Sequence, residues 1–281
     1  MKTITYALVS SLCFLFFGCN INIDYLDKIE GEGEVITEQI LLDSFTEVEL
    51  KKGWEVILEP ASSNYMVVEA NENLFEVFEY ENKNGKLILR ASKQVSKADA
   101  KQITLYFTEK LESLKVSSGT KVTSPERLNF EKLDLDLSSG GEVILDLELN
   151  TLNIETSSGS VAHLVLDLDD LFVDSSSGAR ADLDVNAVSV NVESSSGSEV
   201  NLKGTTSELK VQSSSGSNVD AERLKSDNVT SKASSGAYVS VYSVVNLKAE
   251  TSSGGNIKYL NQPTGDIELN KSKSGGSIDI K

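Results

Sequence analysis

The tripeptide Ser-Ser-Gly recurs along the C-terminal part of this chain and constrains its fold more than any other feature. Successive spacings between its glycines are 21, 19, 19, 19, 19, 20, 18 and 21 residues. A period near 19 over nine copies indicates a solenoid, in which each unit stacks on the next. The glycines are Gly119, Gly140, Gly159, Gly178, Gly197, Gly216, Gly236 and Gly254, followed by Gly275 in a Lys-Ser-Gly variant.

Between the glycines, apolar and polar residues alternate as in β-strands. Leu209 and Val211, for example, alternate with Lys210 and Gln212, which is the two-residue period of a strand with one buried face. A unit of about 19 residues is too short for two helices, and its strands bury their apolar face only by stacking in parallel. We therefore predict an all-β fold, a right-handed single-stranded parallel β-helix, its hand following the preference of parallel crossovers.

Two columns of residues, aligned on the glycines, form the predicted core. Five residues before each Gly stand Leu114, Leu135, Ile154, Val173, Val192, Val211, Ser231 and Ala249. Three residues after stand Val122, Val143, Ala162, Ala181, Val200, Val219, Val239, Ile257 and Ile278. Ser-Ser-Gly itself is the predicted corner, because Gly permits positive φ and serine hydroxyls can bond one another or nearby backbone groups.

Residues 28–115 lack the repeat but keep strand-like patterns. They hold Trp54 and a predicted hairpin turn at Asn84-Gly85. Aromatic bulk suits a cap, which a solenoid needs to cover the open edge of its first coil. We predict an N-terminal β cap or irregular first coils over residues 28–115 and the regular repeat β-helix over 116–281.

The N-terminus has the pattern of a secretion signal. A basic start at Lys2 and a short apolar run over residues 3–17 precede Gly18-Cys19, and the run is too short for a transmembrane helix. The sequence resembles a bacterial lipoprotein signal, which implies lipidation of Cys19. We predict a signal peptide over residues 1–18, a lipid-anchored linker over 19–27 and contact with the membrane through the N-terminal lipid.

Charge and composition exclude several classes of function. The chain carries 26 Lys and Arg against 43 Asp and Glu, a net charge of −17, which argues against binding to nucleic acid. One His and two Cys cannot form the usual closed zinc site. His163 stands in an outward column with Asp182, and no serine, histidine and aspartate arrangement completes a triad. We predict no catalytic residues, no cofactor and a non-enzymatic function.

Four carboxylates stand in adjacent coils, four residues before successive glycines: Asp136, Glu155, Asp174 and Glu193. Stacked at about 4.8 Å, they would repel one another. They are candidate ligands for a divalent cation such as calcium, which prefers oxygen donors. The alternative, which we favour, is a hydrated acidic face, because salt screening makes such repulsion cheap.

Several segments resemble a known bacterial family. They are Glu32-Gly33-Glu34-Val35, the stretch over residues 45–56, the segment over 68–74 and the serial Ser-Ser-Gly units. Together they are similar to the family described as putative auto-transporter adhesin, head GIN domain, over nearly the whole chain from Glu32. The resemblance implies an exported β-solenoid of the kind common in Bacteroidetes-like bacteria, and it carries over no catalytic or binding residue.

These observations predict a cell-envelope lipoprotein at the outer membrane, facing the cell surface or the periplasm. It would act as an adhesin or binding module whose extended surface contacts a glycan or protein ligand through many weak interactions. Two alternatives remain: a periplasm-facing envelope scaffold that binds a partner protein, and a polysaccharide-processing enzyme. The enzyme is the less favoured, because the carboxylate column is regular and flat rather than clustered in a cleft.

Overall fold

The computed structural model describes residues 28–280. The predicted signal peptide over 1–18, the linker over 19–27 and the lipidation site Cys19 lie outside the described residues. Within that range, no helix is long and apolar enough to span a membrane.

The N-terminal part combines short strands with one turn of 3-10 helix at Glu72–Glu76. Its strands are β1 (Lys28–Ile29), β2 (Val35–Leu41), β3 (Glu47–Leu50), β4 (Glu55–Pro60), β5 (Tyr65–Asn71), β6 (Phe78–Lys83), β7 (Lys86–Ala91), β8 (Gln94–Val95) and β9 (Lys101–Phe107). The pairs β2–β5, β5–β9 and β6–β7 are antiparallel. The β6–β7 connection confirms the predicted hairpin, with positive φ at both Asn84 and Gly85.

Two of these early strands already belong to the parallel stack. β3 pairs in parallel with β7 on one side and with β10 (Ser113–Val116) on the other. β4 likewise lies between β9 and β11 (Lys121–Thr123). In space, residues 47–60 therefore separate two segments, 86–107 and 113–123, that are adjacent in the sequence. The parallel stack thus begins before the repeat, at β7 and β9.

From β10 onward the chain forms the predicted parallel solenoid. Its further strands are β12 (Leu128–Asn129), β13 (Lys132–Leu137), β14 (Glu142–Thr156), β15 (Val161–Ser175), β16 (Arg180–Ser194), β17 (Glu199–Ser213), β18 (Asn218–Ala233), β19 (Tyr238–Thr251), β20 (Asn256–Tyr259), β21 (Ile267–Lys271) and β22 (Ser277–Ile280). Each strand from β14 to β18 pairs in parallel with the next. The all-β solenoid with about 19 residues per coil is confirmed.

Each central coil is one long strand that turns twice. In β14, alternate residues from Val143 to Leu149 point inward, and the alternation resumes at Leu152 after two outward residues. The ladder correspondingly omits Asn150, which marks a corner. The second corner is Ser-Ser-Gly, and the coil therefore encloses a core on more than one side.

The Ser-Ser-Gly corner is a tight turn that stacks on its neighbours. In the turn at Gly159, both Ser158 and Gly159 have positive φ, 52° and 70°, and the amide of Ser160 donates to the carbonyl of Ser157 at 3.1 Å. The Gly159 amide donates at 3.3 Å to the carbonyl of Ser177 in the next turn. Two consecutive residues with positive φ define a type I′ geometry, and the stacked hydrogen bonds extend the ladder through the corner.

Both predicted core columns are buried. They join one continuous apolar cluster that runs from Phe45 in the N-terminal part to Ile278 in the last coil. Buried hydroxyls accompany this core beside the turns. Ser217 Oγ contacts Ser213 Oγ at 2.8 Å and donates to the Ser194 carbonyl at 2.9 Å. These bonds satisfy the polar groups that the turns bring inside.

Candidate functional site

The four predicted carboxylates lie on one outward face of the solenoid. Asp136, Glu155, Asp174 and Glu193, the carboxylate column, are paired in successive strands β13 to β16. Lys115 Nζ lies 3.3 Å from Asp136 Oδ2 at one end, and Gln212 Nε2 donates to Glu193 Oε1 at 3.2 Å at the other. The spacing of the glycines thus predicts their register correctly, and their role as a ligand face stays a prediction.

The carboxylate column forms one wall of a shallow surface groove. Over its C-terminal half the groove is bordered by Asp174, Glu193, Gln212, Lys232 and Glu250, together with serines of the adjacent turns. Lys232 Nζ and Glu250 Oε2 are 3.1 Å apart. Within residues 28–280, no three Asp, Glu, His or Cys side chains converge as the ligands of a metal ion would. The acidic side chains are therefore spread along the rod.

The structure also contains a second groove, on the part of the coil that follows the Ser-Ser-Gly turn. We call it the arginine groove, and define it by Asp146, His163, Arg180, Asp182, Asp184, Asn201, Lys203 and Arg223, with the apolar Ile144 and Val165 between them. These residues are outward positions of β14 to β18, which bring them together from a stretch of almost 80 residues. Ile144 and Val165 are exposed although they are large and aliphatic.

Asp182 is the centre of the hydrogen-bond network in the arginine groove. Its Oδ2 accepts from Arg180 Nε at 2.9 Å and lies 3.1 Å from His163 Nδ1, while its Oδ1 accepts from Asn201 Nδ2 at 2.8 Å. Burial alone would raise the pKa of Asp182, but the hydrogen bonds from Arg180 and Asn201 and the positive charge of Arg180 outweigh it. The pKa is lowered below its ordinary value, so Asp182 is ionised at neutral pH.

The other charges of the groove form pairs across neighbouring coils. Lys203 Nζ lies 3.0 Å from Asp184 Oδ2, and Arg180 Nη1 lies 3.2 Å from Glu199 Oε2. At the edge, Arg127 Nε lies 2.9 Å from Asp146 Oδ1. The arrangement can hold a polar ligand through several fixed donors and acceptors at once. It contains no pair of groups placed for nucleophilic catalysis among the described residues.

Sequence reasoning placed His163 and Asp182 in one outward column but missed this groove. A signal was present, since three of the four arginines of the chain and its single histidine fall between residues 127 and 223. The arginines occupy different offsets from the glycines, so the repeat does not align them. The serines of the repeat, by contrast, have structural partners, as where Ser160 Oγ donates to the Leu137 carbonyl at 3.0 Å.

Comparisons with known proteins agree with the fold. Solved structures similar to this chain include two described as putative adhesins, from Parabacteroides merdae ATCC 43184 and Parabacteroides distasonis ATCC 8503. They are 18% and 17% identical, with TM-scores of 0.64 and 0.65, and cover 91% of this chain and 99% and 100% of their own. A third, described as a putative lipid binding protein from P. distasonis ATCC 8503, is 19% identical, with a TM-score of 0.64, covering 90% of this chain and 99% of its own.

Among curated proteins none matches the chain. The family model described as putative auto-transporter adhesin, head GIN domain, matches residues 44–165 and again residues 161–263. These two matches include the first parallel strands, the Ser-Ser-Gly coils and both surface grooves. The chain therefore belongs to the family of putative auto-transporter adhesins with a head GIN domain.

Proposed function

We propose that this protein is a non-enzymatic, lipid-anchored adhesion or binding module of the bacterial cell envelope. The observation that carries the proposal is the unbroken register of outward columns across β13 to β18. Such a surface presents similar side chains at intervals of about 4.8 Å along the rod. Weak contacts with an extended ligand then add up through multivalency.

Three further observations support a binding role. The family is that of putative adhesins, and proteins of similar fold are described in the same terms. The serines of the repeat donate to backbone carbonyls or contact one another, as at Ser198, which lies 2.8 Å from Ser194 through their Oγ atoms and donates to the Ser175 carbonyl at 2.7 Å. The most regular chemical feature of the chain therefore serves the fold and leaves the outward columns for recognition.

Export and anchoring form the second half of the proposal. The apolar run over residues 3–17 followed by Gly18-Cys19 supports secretion and lipidation at Cys19. The lipid would hold residue 19 at the outer membrane, with residues 20–27 as the linker to β1. A rod tethered at its capped end would present its outward columns away from the membrane.

The test is protease accessibility of the C-terminally tagged protein on intact cells, compared with lysed cells and with Cys19→Ala. We expect the tag to be lost on intact cells from the wild-type protein, and the alanine variant to leave the membrane fraction. Cells that lack the gene should bind less to immobilised glycan or host protein. Protection until lysis would contradict the adhesin proposal and favour a periplasm-facing scaffold instead.

The carboxylate column is tested for calcium separately. If it binds the cation, excess calcium should raise the melting temperature of the wild-type protein relative to the protein in chelator, because a ligand that binds only the native state stabilises it. The double variant Glu155→Gln, Asp174→Asn should abolish that difference. Equal melting temperatures for the wild type in calcium and in chelator would leave the column as a hydrated acidic face.

A further inference from the structure

The basic side chains of this acidic protein are unevenly distributed. With a net charge of −17, the chain has only four arginines. One of them, Arg90, lies on the N-terminal hairpin, where its Nε is 2.8 Å from Glu79 Oε2. Of the other three, Arg180 and Arg223 line the arginine groove and Arg127 pairs with Asp146 at its edge. A planar cation that recognises carboxylates in bidentate fashion is thus concentrated at one place.

Arg223 reaches the groove because its coil is longer by one residue. The spacing from Gly216 to Gly236 is 20 residues, against 19 for the four coils before it. The pairing of β17 with β18 shifts register between Asn201 and Lys203, which aligns Arg223 with Lys203. On the other side, the ladder passes from Ala221–Val241 directly to Lys225–Tyr242. Residues 222–224 therefore form a bulge, a device that re-aims side chains.

The guanidinium of Arg223 has no protein partner in the described part of the chain. Arg127, Arg180 and Lys203 each lie within 3.2 Å of a carboxylate oxygen. No carboxylate of residues 28–280 lies within 4.0 Å of the Arg223 guanidinium, and its side chain is exposed. Five N–H donors in a fixed fork are left for an anionic ligand.

The geometry of the groove favours a sugar chain over a peptide. The strands that line it pair with neighbours on both sides, so an extended peptide finds no free strand edge on which to add. Recognition must use side chains instead. Asp184, Asn201 and His163 can bond to hydroxyls, while Ile144 and Val165 offer an aliphatic surface to the apolar face of a sugar ring.

We propose that the arginine groove binds a carboxylate-bearing sugar chain laid along the solenoid axis, with a carboxylate of the ligand held by the fork of Arg223. From β14 to β18 the groove spans about 19 Å, four steps of roughly 4.8 Å. The inference rests on the proposed binding function and names its site and ligand class. The four ordered ion pairs prearrange the remaining polar groups, which reduces the ordering cost of binding.

The test is titration calorimetry of the purified protein with hexagalacturonate at low salt. We expect saturable binding that Arg223→Ala weakens by about tenfold or more, because a charge-assisted bidentate contact is lost. Arg223→Lys should fall between the two, since it keeps the charge and loses the fork. The matched control is Arg90→Ala, which removes the same side chain outside the groove and should bind as the wild type does.

Three results would overturn the inference. Hexagalacturonate could bind equally well to wild type and Arg223→Ala, its neutral methyl ester could bind as tightly as the acid, or no saturable binding could occur. An oligoglutamate peptide that binds more tightly than the sugar would assign the groove to an acidic peptide instead. None of these depends on the protease experiment on cells, so failure of the groove and failure of the adhesin proposal are distinguishable.

Discussion

At the scale of single residues, the position directly after each repeat glycine explains why irregular coils need a second glycine. The residues there are all small: Thr120, Gly141, Ser160, Ala179, Ser198, Ser217, Ala237, Gly255 and Gly276. Glycine occurs where the preceding spacing is 21 or 18 rather than 19 or 20. At these sites a Cβ would overlap backbone of the preceding coil, for example the carbonyl oxygen of Ala233 at Gly255.

This contrast gives a prediction for two glycines of similar position. Gly255→Ala should lower the free energy of unfolding by about 2 to 3 kcal/mol, because the backbone must shift to admit the methyl group. Gly159→Ala should cost about 1 kcal/mol, since nothing lies within 4 Å of its Cβ and only the left-handed backbone is strained. Urea unfolding followed by circular dichroism checks both. Equal losses would contradict the role of close coil approach.

The lowered pKa of Asp182 predicts a pH dependence of stability. A carboxyl whose pKa is lower in the folded protein stabilises the fold above its unfolded pKa, near 3.9, and loses that contribution as the pH falls through the folded value. Asp182→Asn should therefore reduce the free energy of unfolding at pH 7 by about 1 kcal/mol and by less at pH 3. Urea midpoints at the two pH values measure this, and an equal reduction at both would contradict it.

At the scale of secondary-structure elements, each central coil is an interchangeable unit. β15, β16 and β17 pair residue for residue at an offset of one repeat, and their contacts are with the coils on either side. In such a stack, stability is close to a sum of coil and interface contributions. Removal of one whole coil should therefore leave the remaining interfaces in register.

Deletion of residues 180–198 joins Ala179 to Glu199 and tests this. Glu199 then takes the place of Arg180 opposite Val161, and Val200 packs against Ala162. We expect a folded, cooperatively unfolding protein with a smaller denaturant slope, because less surface is exposed on unfolding. The control deletion of residues 181–198 places Glu199 at the inward position of Ala181, and should fail to fold because it reverses which side chains face the core. Equal behaviour of the two variants would contradict the register argument.

At the scale of the whole molecule, the two ends of the rod differ. The N-terminal end is covered by antiparallel strands and aromatic packing, such as Trp54 against Phe78 with ring centroids 5.2 Å apart. At the C-terminal end, β21 pairs with β19 and β22 with β20, and the apolar Leu269 and Ile280 are 40% and 54% exposed. The last coil therefore buries less apolar surface than the central ones.

Hydrogen exchange should consequently proceed from the C-terminal end. We expect amides of β21 and β22 to exchange at least about tenfold faster than those of β15 and β16, since local opening costs less where few apolar contacts are broken. Exchange measured by mass spectrometry on the native protein checks this. Uniform protection along the solenoid would indicate that the whole rod opens as one unit.

Much of the fold follows from local rules that act on neighbouring residues. The Ser-Ser-Gly period, the alternation of apolar residues and the demand for positive φ at the turn together predicted parallel coils, both core columns and the register of the carboxylate column. The Asn84-Gly85 hairpin was predictable for the same reason. These features depend on a single coil and its repetition, so the sequence carries them explicitly.

The tertiary structure alone decided two other features. Residues 47–60 insert between two segments that adjoin in the sequence, because strand pairing depends on which edge is free when the chain folds back, and local pattern does not encode that edge. The arginine groove likewise combines side chains at different offsets from the glycines, and its free guanidinium depends on a one-residue bulge in β18. The repeat in the sequence determined the solenoid itself; where the chain departs from the repeat, only packing in three dimensions decided which side chains meet, because they come from different coils.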